Sequence, residues 1–178
     1  MNRGCLVLSI LCCAVFPLSV QGQTGVHDSS TTRSTHQQNA WLSGGIGIGT
    51  DGIAAPTGTV SGWYSNNSLL VGAHVVDVVG WSGPEVHDTA LLVGLCDLRR
   101  HTLFLIAAGP AKLGGRGYRY ENGVTTTISA SEIGAALHVE ANVHIEVIGI
   151  GVDFFAARSN NRSLKGATLS LQLGWFGS

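Results

Sequence analysis

Residues 167–176 read Ala-Thr-Leu-Ser-Leu-Gln-Leu-Gly-Trp-Phe. In an extended chain successive side chains point to opposite sides. Ala167, Leu169, Leu171, Leu173 and Trp175 therefore share one face, and Thr168, Ser170, Gln172 and Gly174 share the other. The period predicts a β-strand that is apolar on one side and small or polar on the other. Such a strand suits a soluble core or the wall of a barrel standing in lipid, and the placement of charge separates the two.

Working outward from that stretch, seven further β-prone segments bounded by turn residues are read at 41–50, 57–65, 68–76, 89–96, 102–111, 133–139 and 145–154. Leu69, Val71, Ala73 and Val75 alternate in the same way, as do Leu91, Val93 and Leu95. Glycine recurs inside the segments, which argues against helix. At the chain's average charge density the eight windows would carry roughly nine charged side chains. They carry Glu146 and Asp153 alone. A soluble barrel keeps Lys, Glu and Arg on its wet face, whereas an Arg or Lys facing lipid at mid-bilayer costs about 2–4 kcal/mol and is purged. The expected fold is all-β: an eight-stranded, antiparallel, up-and-down transmembrane barrel.

Composition narrows the function classes. The 178 residues carry a formal net charge of -1 and only 12% charged side chains, so nucleic acid is not an expected partner. With 25 Gly and 4 Pro the chain is neither disordered nor collagen-like in composition. Residues 1–22 combine Arg3, an apolar run and small residues near Gly22, the pattern of a cleaved secretory signal. Residues 23–39 are rich in Thr, Ser, Gln and His without apolar periodicity and read as a flexible leader; the barrel domain is placed at 40–178. Cys5, Cys12 and Cys13 fall in the signal, leaving Cys96 as a small buried hydrophobe.

The links between segments alternate between long and short, as in membrane barrels with tight turns at one end and longer loops at the other. Asn66-Asn67 suits a tight hairpin. A girdle of interfacial aromatics is expected at the turn end from Trp41, Trp63, Tyr64, Trp175 and Phe176, joined by Phe104, with Phe154 and Phe155 at the opposite rim. Pro110 lacks the N–H that a ladder needs, so a bulge or the rim is expected there.

On Leu91-Leu92-Val93-Gly94, on residues 103–109 and 148–152, and on the closing alternation 168–176, the chain resembles the small outer-membrane β-barrel proteins of Gram-negative bacteria, in the manner of the OmpA and OmpX barrels. The resemblance spans 40–178. It implies a bacterial outer-membrane location, contact with outer-membrane lipid and lipopolysaccharide, and recognition by the barrel-insertion machinery through a C-terminal strand ending in an aromatic, here followed by Gly177-Ser178. The family includes lipid A deacylases, palmitoyltransferases and larger ten-stranded proteases. The His-x-Ser-Asn dyad sought for such an enzyme is not found; Arg158-Ser159-Asn160-Asn161 stands without a His.

Among chemistry-bearing residues, His138-Val139-Glu140 and His144-Ile145-Glu146 stand out. A three-residue turn at 141–143 would put all four polar side chains on one face, and a turn of two or four would split them. His74, His138, Glu140, Asp153 and Gln172 are expected in the lumen, with His144 and Glu146 at the rim. Their expected role is a hydrogen-bonded network filling a narrow interior, rather than metal binding or catalysis. No cofactor is expected. Arg116, Tyr118, Arg119 and Tyr120 form a basic-aromatic cluster in a long external loop, 114–132, suited to anionic lipopolysaccharide or a partner surface. The functional expectation is an envelope structural, adhesion or surface-ligand role without evident catalysis. The alternatives are a soluble periplasmic carrier of a small apolar ligand and a lipid-modifying enzyme.

Overall fold

A computed structural model describes residues 38–79, 85–121 and 124–175, and the side chains among them except those of 117–121 and 124–128. The signal segment, the leader up to residue 37, and Phe176 lie outside the described residues. Eight strands follow in order: β1 (Gln38–Thr50), β2 (Ala54–Asn66), β3 (Leu69–Val78), β4 (Glu85–Arg99), β5 (Thr102–Glu121), β6 (Val124–Ile145), β7 (Ile148–Arg158) and β8 (Ser163–Trp175). Each pairs antiparallel with the next, and β8 returns to β1 from Ala40↔Trp175 to Thr50↔Lys165, closing the barrel. Closure leaves the barrel wall without a free edge strand.

Side chains alternate between the wall's two faces throughout, as the unbroken buried–exposed pattern of β7 illustrates. Outward positions include Ile46, Leu91, Ile106, Leu137, Ile150 and Leu171, all exposed. Charges on this face gather in two groups. Asp97 and Arg99 pair at 2.9 Å near the tight-turn end, and Asp77, Glu85, Lys112, Arg116, Arg158 and Lys165 lie toward the other end. Between those groups no described outward position is charged. On β8 the uncharged stretch runs from Ala167 to Trp175. At ~3.4 Å per residue and a tilt of ~40° it covers roughly 20 Å of height, close to the ~25 Å apolar band of a membrane barrel.

The turn end has two-residue links at 67–68, 100–101 and 146–147. Asn67 takes φ 55° there, the positive φ that a tight hairpin demands. At the other end the long loops expected from sequence are largely absent. Residues 114–132 are not a loop: β5 and β6 continue as a paired ribbon to Glu121↔Val124. Polar Ser, Thr and Gly residues extend a ladder as well as apolar ones do once both backbones are paired, and composition alone hid this. Two boundaries also shift. β1 begins at Gln38, inside the expected leader, with Asn39 buried and donating to Ser65 Oγ at 3.1 Å. The β6–β7 turn falls at Glu146-Val147 and not within 140–144.

Pro110 lies within β5, facing outward, at neither a bulge nor the rim. The β4–β5 register keeps its offset on both sides of it, from Ala90↔Ala111 to Val93↔Ala108, while pairing lapses between. The missing N–H is absorbed as a local gap in the ladder.

Candidate functional site

The lumen is chemically two-sided. Inward positions on β3 to β5 are mostly Leu, Val, Ala and Cys, including Leu70, Leu92, Leu105 and Leu113. Those on β2, β6 and β8 carry most of the inward hydroxyl, amide, imidazole and carboxylate groups, and β1 and β7 add Asn39, Ser43 and Asp153. The polar side converges where β6 meets β7. There Glu140 stands directly across from Asp153, both inward and both at most 1% exposed.

Because His138, Glu140, Asn142 and His144 are all even-numbered residues of one strand, all four point inward. The face question posed by 138–146 disappears, since β6 runs through to Ile145. His138 Nε2 meets Glu140 Oε2 at 3.3 Å, and Asn142 Nδ2 donates to Glu140 Oε1 at 2.7 Å. Ser170 Oγ donates to Asp153 Oδ1 at 2.9 Å and Thr168 Oγ1 to Oδ2 at 3.3 Å. Thr59 and Thr168 hydroxyls pair at 3.2 Å, extending the network to β2. Gly151 makes the arrangement possible: a Cβ there would overlap the Asn142 carboxamide.

An aromatic wall closes the cluster. His74 reaches from β3, its ring centroid 4.6 Å from that of His138 in an edge-on contact, and 6.1 Å from Phe155. The Trp63 ring lies 5.2 Å from His138 and donates its Nε1–H to Ser61 Oγ at 2.8 Å. Trp63 in turn stacks at 6.5 Å on Trp41. Trp41 and Trp63 are thus lumen residues, each 3% exposed, and not members of an outer girdle. Parity explains it: Leu42, Ile46 and Ile48 face out, so Trp41 must face in, and Trp63 is its register partner. Phe155, expected at the rim, shares the parity of Asp153 and is buried for the same reason.

Of the residues singled out in the sequence, His74, His138, Glu140 and Asp153 come together. Gln172 is fully buried on β8, one inward position below Ser170 toward the turn end. His144 is inward at that end, with Nε2 3.1 Å from the Arg99 carbonyl. Glu146 is apart from the cluster, exposed in the β6–β7 turn at φ 54°. Tyr64, Phe104, Phe154 and Trp175 face outward, and Phe176 is outside the described residues. Arg116 is exposed on the β5–β6 ribbon; the backbones of Tyr118, Arg119 and Tyr120 pair there with Thr127, Thr126 and Thr125, and their side chains are outside the described set. Asn142, Thr168, Ser170 and Thr59 were not singled out. The alternation of 168–172 contains the signal for two of them, whereas Asn142 falls in a stretch that reads as a turn in sequence.

No family model and no curated protein sequence matches the chain. Solved structures do. The N-terminal β-barrel domain of Pseudomonas aeruginosa OprF superposes with a TM-score of 0.59 at 10% identity, covering 78% of this chain and 99% of that one. Ail, the attachment invasion locus protein of Yersinia pestis, in complex with the heparin analogue sucrose octasulfate, gives 0.57 at 8% identity over 79% and 99%. Neisserial surface protein A gives 0.51 at 9% over 76% and 96%. Identity this low speaks for the fold alone. The chain has the fold of the small eight-stranded outer-membrane barrels.

Proposed function

We propose that this protein is exported by cleavage of residues 1–22 and inserted into a Gram-negative outer membrane, where the β5–β6 ribbon makes contact with surface ligands. Its role is envelope structure, adhesion or ligand contact. The observation that carries the reading is the uncharged outward belt, bounded at the turn end by Tyr64, Phe104 and Trp175 and at the other by Lys112, Arg158 and Lys165. In water that belt would be a continuous apolar surface far larger than a monomeric protein exposes. The carrier alternative is disfavoured because Leu105, Glu140 and Gln172, each 0% exposed, occupy the lumen where a ligand would sit.

The surface role rests on the ribbon. β5 and β6 are 20 and 22 residues long against 10 and 11 for β3 and β7. About nine residue pairs therefore project beyond the belt, roughly 30 Å at ~3.4 Å per residue. Arg116 and Arg119 lie on this projection, and guanidinium groups bind sulfate and phosphate oxygens in a fork geometry. The complex of Ail with a sulfated heparin analogue is a precedent on this fold for an anionic surface ligand. Two measurements test the reading. The full-length precursor expressed in a Gram-negative host is expected to fractionate with the outer membrane and to migrate differently on gels before and after boiling. Immobilised lipopolysaccharide or heparin is expected to retain the folded protein and to lose the Arg116→Ala/Arg119→Ala variant. Recovery in the soluble periplasm overturns the location, and equal retention of the variant overturns the surface role.

A further inference from the structure

We propose that His138, Glu140 and Asp153 bind one divalent transition-metal ion inside the barrel, with Zn²⁺ the best match. One ligand atom from each residue lies within 4.8 Å of the others. Zinc donors at ~2.0–2.2 Å in a tetrahedron sit roughly 3.3–3.5 Å apart, so a small rotation of the side chains closes the set. One imidazole nitrogen with carboxylate oxygens is a donor set that zinc accepts.

Charge makes the case independent of spacing. Glu140 and Asp153 are cross-strand partners on the inner face, a juxtaposition that like charges disfavour. Among the described buried residues there is no Lys or Arg to compensate them. A buried carboxylate pair needs a proton or a cation between its members.

His74 supplies the second observation. It is 1% exposed, neither of its ring nitrogens has a hydrogen-bond partner, and it packs edge-on against His138 at 4.6 Å. A buried imidazole with both nitrogens unsatisfied is costly. Its place beside His138 makes it the candidate for a fourth ligand, and ligation would satisfy one of its two nitrogens. The supporting shell is already assembled, since Asn142, Ser170 and Thr168 hydrogen-bond the two carboxylates and hold them in place.

The test uses the full chain, folded in detergent, stripped with chelator and titrated with Zn²⁺. Elemental analysis after gel filtration is expected to give one zinc per chain, with Tm rising as zinc is added. Glu140→Gln and Asp153→Asn keep the side-chain shape. Each is expected to lower apparent affinity by more than the roughly 10–100-fold expected of the supporting variant Asn142→Ala. Replacing the exposed His87 and His101 by Ala is expected to leave the stoichiometry unchanged. Co²⁺ added to the unmutated barrel is expected to give the visible bands of tetrahedral coordination, which keeps the test decisive if a variant does not fold. Absence of stoichiometric zinc and of the cobalt bands overturns the proposal, as does zinc binding that survives both carboxylate variants or vanishes with the exposed histidines.

Discussion

Glu132 accepts three hydrogen bonds from the β7–β8 turn: from Ser159 Oγ at 2.6 Å, from the Asn161 amide at 3.2 Å and from Asn161 Nδ2 at 3.0 Å. The Ser159 and then the Asn161 bonds hold its carboxyl below the usual glutamate range. A depressed folded pKa means that the contribution is complete above the ordinary glutamate value and is lost as pH falls through the lower folded value. The protection factor of the Asn161 amide against hydrogen exchange is therefore expected to fall in acid, and Glu132→Gln to remove most of that dependence. Within Arg158-Ser159-Asn160-Asn161, Ser159 and Asn161 thus tie the β7–β8 turn to β6. A second residue-scale prediction concerns Gly151. Ala at this position meets both the Asn142 carboxamide and the Ala141 carbonyl, and is expected to destabilise the barrel by about 1–3 kcal/mol. Asn142→Ala in the same chain is expected to recover part of the loss, as a double-mutant cycle of unfolding in detergent would measure.

The strands show what a sequence reveals about an element and what it hides. The segment 167–176 declared its faces because five apolar side chains alternate with small and polar ones, and β8 spans Ser163–Trp175. Parity also carried His74, His138, Glu140 and Asp153 to the lumen, although their meeting point is set by register, which no single strand encodes. Two signals misled. Charged and polar residues beyond the belt read as loop, yet in β5 and β6 they sit in a paired ladder out to Glu121↔Val124. Aromatics near strand ends read as an interfacial girdle, yet Trp41 and Trp63 follow the inward parity of their strands, and Gly72 and Gly174 leave the space they fill. The ribbon yields an element-scale prediction. Replacing 117–128 by a two-residue turn is expected to leave heat-modifiable mobility intact, because the belt and the lumen network lie below it, while retention on lipopolysaccharide is lost. Loss of the folded band would mean that the ribbon holds the barrel together.

For the molecule as a whole, the outer face of a closed wall carries no charge at the described positions across its belt, while the inner face holds Asp88, Glu140 and Asp153. Narrowness follows from eight strands, whose interior is filled by side chains. The lumen divides between a mostly apolar side on β3 to β5, where Asp88 is the buried carboxylate, and a more polar side on the rest, where hydroxyls and an imidazole surround Glu140 and Asp153. Stability of the folded chain in lipid should depend on belt position. Leu171→Arg, outward and near mid-height on β8, is expected to cost about 2–4 kcal/mol in a bilayer, and Lys165→Arg at the edge close to nothing. The most direct test of the claim that lipid surrounds the wall is spin-label accessibility in vesicles. With Cys96 replaced by Ala, nitroxides are placed singly at outward Ile46, Ile106, Ile150 and Leu171 and at the edge position Lys165. The account predicts that the four belt labels collide with dissolved oxygen and are shielded from a water-soluble nickel chelate, while the label at 165 shows the reverse. Equal access of the chelate to all five positions would contradict it.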